Sequence, residues 1–144
     1  MTGLAANKAL VSAFIDALNK QDWEAVRRLC SPAYVHHAPH VPAADLATYI
    51  KTAGRLFSAF PDMVATLEQL VAEGEFVATR YTARGTHQGD FYGVAATGRP
   101  VMLRVIGMLR LARGKIAEGW FEFDTGELYA QLRADSDVSA KDGA

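Results

Sequence analysis

At 144 residues, half of them apolar, the chain is long enough for one domain with a proper core and short for two. A formal net charge of -1 argues against a nucleic-acid protein, which would call for a basic stripe, and a single cysteine, Cys30, excludes an internal disulfide. No apolar run approaches the length of a bilayer span, and MTGLAANKAL lacks the charged-then-apolar order of a signal peptide, so the expected location is cytoplasmic.

From Leu4 to Leu18 the apolar positions Val11, Phe14, Ile15 and Leu18 fall at helical spacing, with Lys8, Ser12 and Asp16 opposite. Asp22 is a good N-cap for a second, short helix that places Trp23, Val26 and Cys30 on one face, and Ser31-Pro32 ends it. Tyr34–His37 reads as a short strand, followed by an irregular, proline-marked segment, Ala38–Ala43. A third helix runs to about Phe60 with Leu46, Tyr49, Ile50, Ala53, Phe57 and Phe60 inward, and Pro61 stops it. Met63–Ala72 and Phe76–Thr86 follow as strands around Glu73-Gly74-Glu75. After the glycine-rich GTHQGDFYGVAATG come two long strands, Pro100–Ala112 and Lys115–Phe123, joined at Arg113-Gly114. A helix over Thr125–Leu132 closes the domain, and the small, polar residues 133–144 read as a disordered tail.

Helices first and antiparallel strands second is the order of an α+β domain, with helices packed on one face of a curved, mainly antiparallel sheet. Such a sheet wrapped on its helices makes a cone-shaped barrel whose interior is the natural place for a small ligand. On the last strand Ala117, Gly119, Phe121 and Phe123 share one face, and Glu118, Trp120 and Glu122 share the other. With the odd residues inward the pocket wall is apolar, and a bulge would bring Glu118 and Trp120 in instead. Phe14 and Phe57 are core or pocket wall.

His36, His37 and His40 are the one histidine cluster, with no Cys, Asp or Glu at a spacing that completes a metal site. His36 and His37 adjoin on a strand and point to opposite faces, so only one can line a cavity, where an imidazole would serve as a general base. Tyr81 is a phenol able to donate to a ligand carbonyl or enolate. Asp124-Thr125-Gly126-Glu127 has the form of a helix start, which makes Asp124 a cap before it is an acid. His87 enters the glycine-rich loop and reads as a residue that ties loop to sheet. Arg80, Arg84, Arg104 and Arg110 form a solvated sheet face or part of a dimer interface, and Cys30 has no basic helper.

Several motifs resemble the SnoaL-like polyketide cyclase family, within the nuclear transport factor–ketosteroid isomerase superfamily. They are Phe60-Pro61-Asp62, Gly85-Thr86-His87 with Gly89, Phe91 and Gly93, Thr97-Gly98-Arg99, Gly114-Lys115-Ile116 with Glu118, Asp124 and Gln131-Leu132. Tyr34-Val35-His36-His37 sits where the family often has a tyrosine-started strand bearing a polar pocket residue. The resemblance implies a cone with a deep apolar pocket, a homodimer formed through the sheet, and a small hydrophobic ligand. It also implies cyclisation or isomerisation of a carbonyl-bearing, polyketide-like substrate by proton transfer, with neither a metal nor an organic cofactor. His37 matches the family's polar position and is the expected base, with His36 as the fallback and Tyr81 as the enolate donor. Tyr34, Val105 and the aromatic wall complete the expected pocket.

The chain departs from the family at the reacting positions. The cyclase aspartate falls on Phe121 and its partner histidine on Gly107, and the strand pair of the aspartate–arginine–aspartate set of the epoxide-hydrolase relatives falls near Tyr81 and Ala83, so that set is missing too. Phenylalanine cannot move a proton, so a binding protein that kept the cone and lost its acid–base pair is the rival expectation, and an interaction module with a filled cavity is a third.

Overall fold

The hairpin at Arg113-Gly114 sets the frame of the molecule. Both turn residues take positive φ, 54° and 74°, the pairing whose twist matches two antiparallel strands. It joins β5 (Pro100–Ala112) to β6 (Lys115–Glu122) in the computed structural model, which describes residues 3–142 and side chains as far as Arg133. β5 pairs on its other side with β4 (Phe76–Thr86), and β4 pairs with β3 (Val64–Glu73), all antiparallel. Beyond β6 lie β1 (Cys30–His37) and the short β2 (Ala44–Asp45), giving the order β2-β1-β6-β5-β4-β3. The sheet stays open, with β2 and β3 as edges.

Two features of β1 differ from expectation. Cys30 opens the strand opposite Ile116 instead of closing the second helix, and β1 runs parallel to β6, which makes the sheet mixed. Pro32 carries no N–H for the ladder, and it sits where the β1–β6 register is broken, between Cys30 and Val35. Directly after the segment read as irregular, Ala44–Asp45 supplies β2, with Ala44 opposite His36.

Among the described residues four helices accompany the sheet: α1 (Gly3–Asn19), α2 (Trp23–Leu29), α3 (Leu46–Ala59) and α4 (Thr125–Asp142). Side chains begin three of them. Asp22 accepts from the Ala25 N–H at 3.1 Å, Asp45 from Thr48 at 2.8 Å and Asp124 from Glu127 at 2.9 Å. α4 continues past Leu132 to Asp142, since no glycine or proline interrupts the chain before Gly143, and residues 143–144 lie outside the described residues.

The helices cover one face of the sheet, the inner face. Val101, Leu103, Val105, Leu109 and Leu111 of β5 point into it and share a core with Val11, Phe14 and Ile15 of α1 and Phe57 of α3. Arg80, Arg84, Arg104 and Glu122 point outward and are exposed. Ala117 is the extra residue of a bulge opposite Arg110–Leu111. It brings Ile116 inward, and beyond it the odd residues Gly119 and Phe121 take the inner side.

Two amide side chains finish exposed strand backbone. Asn19 donates to the Ala65 carbonyl at 2.9 Å and accepts from its N–H at 2.8 Å on the outer edge of β3. Gln131 does the same to Met102, donating and accepting at 2.8 Å, where β5 has run beyond the end of β6. Each amide takes the place of one more strand residue.

Candidate active site

The inner face carries its chemistry on neighbouring strands β1, β6, β5 and β4, with β1 packed against α3. Strand alternation sends Tyr34 and His36 inward from β1, Gly119 and Phe121 from β6, Gly107 and Val105 from β5, and Thr79 and Tyr81 from β4. Register aligns Thr79 with Gly107 and Gly107 with Phe121. Gly107 and Phe121, onto which the resemblance carries the family's reacting pair, are thus direct neighbours across two strands, and the bulge at Ala117 lies between them and the turn.

His36 is the centre of this group. Its Nδ1 lies 2.9 Å from the Tyr34 hydroxyl. The Tyr49 ring of α3 stacks on it at 4.0 Å and 25°, and the Phe121 ring lies at 5.1 Å and 23°. Phe14 of α1 continues the column beyond Tyr49, at 6.4 Å and 27°. Burial, with a smaller contribution from the neighbouring His37, lowers the His36 pKa to about 4. The imidazole is therefore neutral across the physiological range.

Burial raises the phenols of Tyr34, Tyr49 and Tyr81 far above the ordinary tyrosine value, and their mutual proximity adds to it for Tyr34 and Tyr49. Tyr34 is closed off, while His36, Tyr49 and Tyr81 stay half-buried. Among the described residues no Asp, Glu, Lys or Arg points into this face from β4, β5 or β6. The arrangement offers hydroxyl donors and one neutral imidazole in an uncharged, apolar surround, which suits hydrogen bonding to carbonyl oxygens and transfer of a single proton.

The expected residues divide between the two sides of the sheet. Phe14, Tyr34, His36, Phe57, Tyr81, Val105, Gly107 and Phe121 are brought to the inner side, although Phe57 packs away from His36, edge-on to Trp23 at 5.8 Å. His37 and Trp120 are on the outer side, contrary to the expected base and the expected pocket tryptophan. They stack at 5.2 Å and 4°, and His37 Nε2 meets Glu118 at 2.7 Å, with Arg110 on the same carboxylate at 3.3 Å. The cause is the pleat: His36 faces the helices, so His37 cannot. The sequence reading kept Tyr49 as plain core. Its signal was a hydroxyl on the otherwise apolar inward stripe of α3.

His87 ties the loop as expected. Its Nδ1 accepts from the Thr97 N–H at 3.2 Å, and its backbone bonds Arg99 and Gly98. Cys30 is buried and pushed up to about 12 by that burial, far from a reactive thiolate. A groove of about 480 Å³ between β4, β5 and α4 is lined by Asp62, Arg84, Met102 and Gln131. Asp62 is engaged there by the Thr86 N–H and hydroxyl, at 2.7 and 2.8 Å. The groove is remote from the imidazole.

A family model for SnoaL-like polyketide cyclase matches residues 8–132. No curated protein is matched. Among solved structures, IdmH from Streptomyces antibioticus, a candidate polyketide cyclase, is 35% identical, with a TM-score of 0.80 over 88% of this chain and 97% of its own. AclR from Streptomyces galilaeus, a candidate hydroxylase, is 32% identical, with a TM-score of 0.83 over 90% of this chain and 97% of its own. An LEH-like epoxide hydrolase from M. tuberculosis, at 16% identity and a TM-score of 0.74, covers 99% of this chain and 100% of its own and shares the fold.

Proposed function

The chain belongs to the SnoaL-like polyketide cyclase family, and from that premise we propose that it cyclises or isomerises a hydrophobic, carbonyl-bearing, polyketide-like molecule by proton transfer. The observation that carries this reading is the His36–Tyr34 pair, 2.9 Å apart on the helix-covered face and held between two rings. In the tautomer whose Nδ1–H donates to the Tyr34 oxygen, Nε2 presents its lone pair to the cone. Nε2 takes the proton from carbon next to a carbonyl, and Tyr34 steadies the imidazolium that forms. The Tyr81 hydroxyl donates to the enolate oxygen, and Val105, Phe14 and Phe121 exclude water. The enolate carbon then attacks a second carbonyl, or is reprotonated elsewhere, and His36 returns the proton.

The test begins with native mass spectrometry against a panel of aromatic polyketides, steroids and terpenoid epoxides. The compound that binds is then incubated in D2O. Wild type is expected to bring deuterium into the position next to the carbonyl, and His36→Ala to lose exchange and turnover while still binding. Turnover by His36→Ala at the wild-type rate overturns the reading.

The second reading, a binding protein without turnover, is favoured by Phe121 and Gly107 at the positions where the family's acid–base pair belongs. Retention of the ligand with no deuterium exchange by wild type would establish it. We propose further that two copies pair through the outer sheet face, where Ile106 and Met108 are 54% and 43% exposed beside Trp120 and Phe76. Light scattering should give twice the chain mass for wild type and the monomer mass for Met108→Glu.

A further inference from the structure

Phe121 is more than a vacancy left by an acid. Its ring is let down onto the sheet between two glycines. A Cβ at Gly107 would lie 2.8 Å from its Cδ1 and Cε1, and a Cβ at Gly119 would lie 2.8 Å from its Cε2. Either is closer than real Cβ atoms come, so the ring occupies space that two ordinary residues would fill. The same glycines receive the neighbours: the Gly107 Cβ would meet Thr79 Oγ1 at 2.7 Å, and the Gly119 Cβ would meet the Tyr34 hydroxyl at 2.7 Å. Phe121 itself is 5% exposed, and His36 lies against it, inclined by 23°.

We propose that Phe121 is the positioning residue of this site, a platform that two missing side chains permit, fixing the plane of His36 and sealing one of its faces from water. The proposal rests on His36 as the working base. The other groups facing the imidazole are Tyr34 on its own strand and Tyr49 from α3, both un-ionised, with Tyr81 near these phenols. His37 and Glu118 lie on the far side of the sheet. Among the described residues no charged group on the inner face competes with Phe121 in setting the state of the ring.

The experiment is NMR of protein labelled in its histidines, read as each imidazole's titration and its contacts. In wild type the carbon-bound His36 protons should be shifted upfield by the flanking rings, with NOEs to the Phe121 ring. Phe121→Leu keeps the apolar bulk and removes the flat ring. The His36 midpoint should then rise by about one pH unit or more as water reaches the exposed face. Gly107→Ala, which pushes the ring off its seat, should move it the same way, while the His37 resonances stay in place. With a turned-over substrate, Phe121→Leu should lower kcat with KM nearly unchanged and move the acid limb of the profile upward in step with the NMR midpoint. A merely structural role would lower Tm and leave both midpoints alone.

An unmoved His36 midpoint in folded Phe121→Leu or Gly107→Ala overturns the proposal. Should neither variant fold, the wild-type spectrum decides, and absent upfield shifts and NOEs overturn it. His36→Ala separates the two claims: its full activity removes the base and leaves the platform to be judged by NMR. A dead His36→Ala with an unmoved midpoint in Phe121→Leu removes the platform and leaves the base.

Discussion

Replacing Tyr34 by Phe removes the one hydroxyl that His36 Nδ1 meets at 2.9 Å and leaves the ring and its burial in place. The base then loses the acceptor for its Nδ1–H, and kcat is expected to fall at least tenfold while the protein keeps its fold, measured by turnover and circular dichroism together. Tyr81→Phe removes the enolate donor. One such donor is worth about 3 kcal/mol of barrier, so turnover should drop about a hundredfold, and a loss below threefold takes Tyr81 out of the mechanism. Asp124 makes the opposite prediction. Its carboxylate accepts from the Glu127 N–H, so Asp124→Ala should cost about 1 kcal/mol of stability in urea unfolding and leave kcat unchanged. Residue chemistry was partly legible from the chain alone. That one of His36 and His37 must face inward followed from the pleat, but which one depends on the phase of a strand interrupted at Pro32, and no local pattern carries that phase.

At the level of elements, the hairpin read best because its signals are local. Alternation over β5 and the Arg113-Gly114 turn are written in neighbouring residues, and the ends of β4 and β5 fell where the sequence put them. The parallel β1–β6 pairing was illegible, since the two strands lie far apart in the chain and parallel pairing leaves no turn between them. The turn also offers a stabilising change. Arg113 holds a φ of 54°, where asparagine is accommodated better than arginine, so Arg113→Asn should gain about 0.5 kcal/mol in urea unfolding without touching the site. A loss of stability would mean that the arginine side chain contributes more than its backbone costs.

For the molecule as a whole, sidedness is the organising fact. The strands keep their arginines and glutamates outside and leave phenols and one imidazole inside, so part of the acid response of folding should be traceable to the interior. Burial holds folded His36 at about 4, while the unfolded imidazole titrates near 6.5. Above that higher value neither state carries the proton, and the full stability is present. As pH falls from 6.5 toward 4 the unfolded chain takes up a proton that the folded one refuses, so stability declines, by up to about 3 kcal/mol. Urea midpoints between pH 7.5 and 4.5 should show this slope in wild type and a shallower one in His36→Gln. Equal slopes would mean that His36 is as well hydrated in the fold as out of it.

The amide of Asn19 has a consequence beyond the single molecule. β3 is the last strand on its side, and its outward backbone at Ala65 is answered by that side chain. Without it, Ala65 would present an open donor and acceptor, the template on which a strand from another molecule can add. Asn19→Ala is therefore expected to leave chemistry in the cone untouched and to show itself in storage, as concentration-dependent growth of thioflavin-positive fibres. One carboxamide would then separate a protein that keeps in solution from one that polymerises along its own sheet.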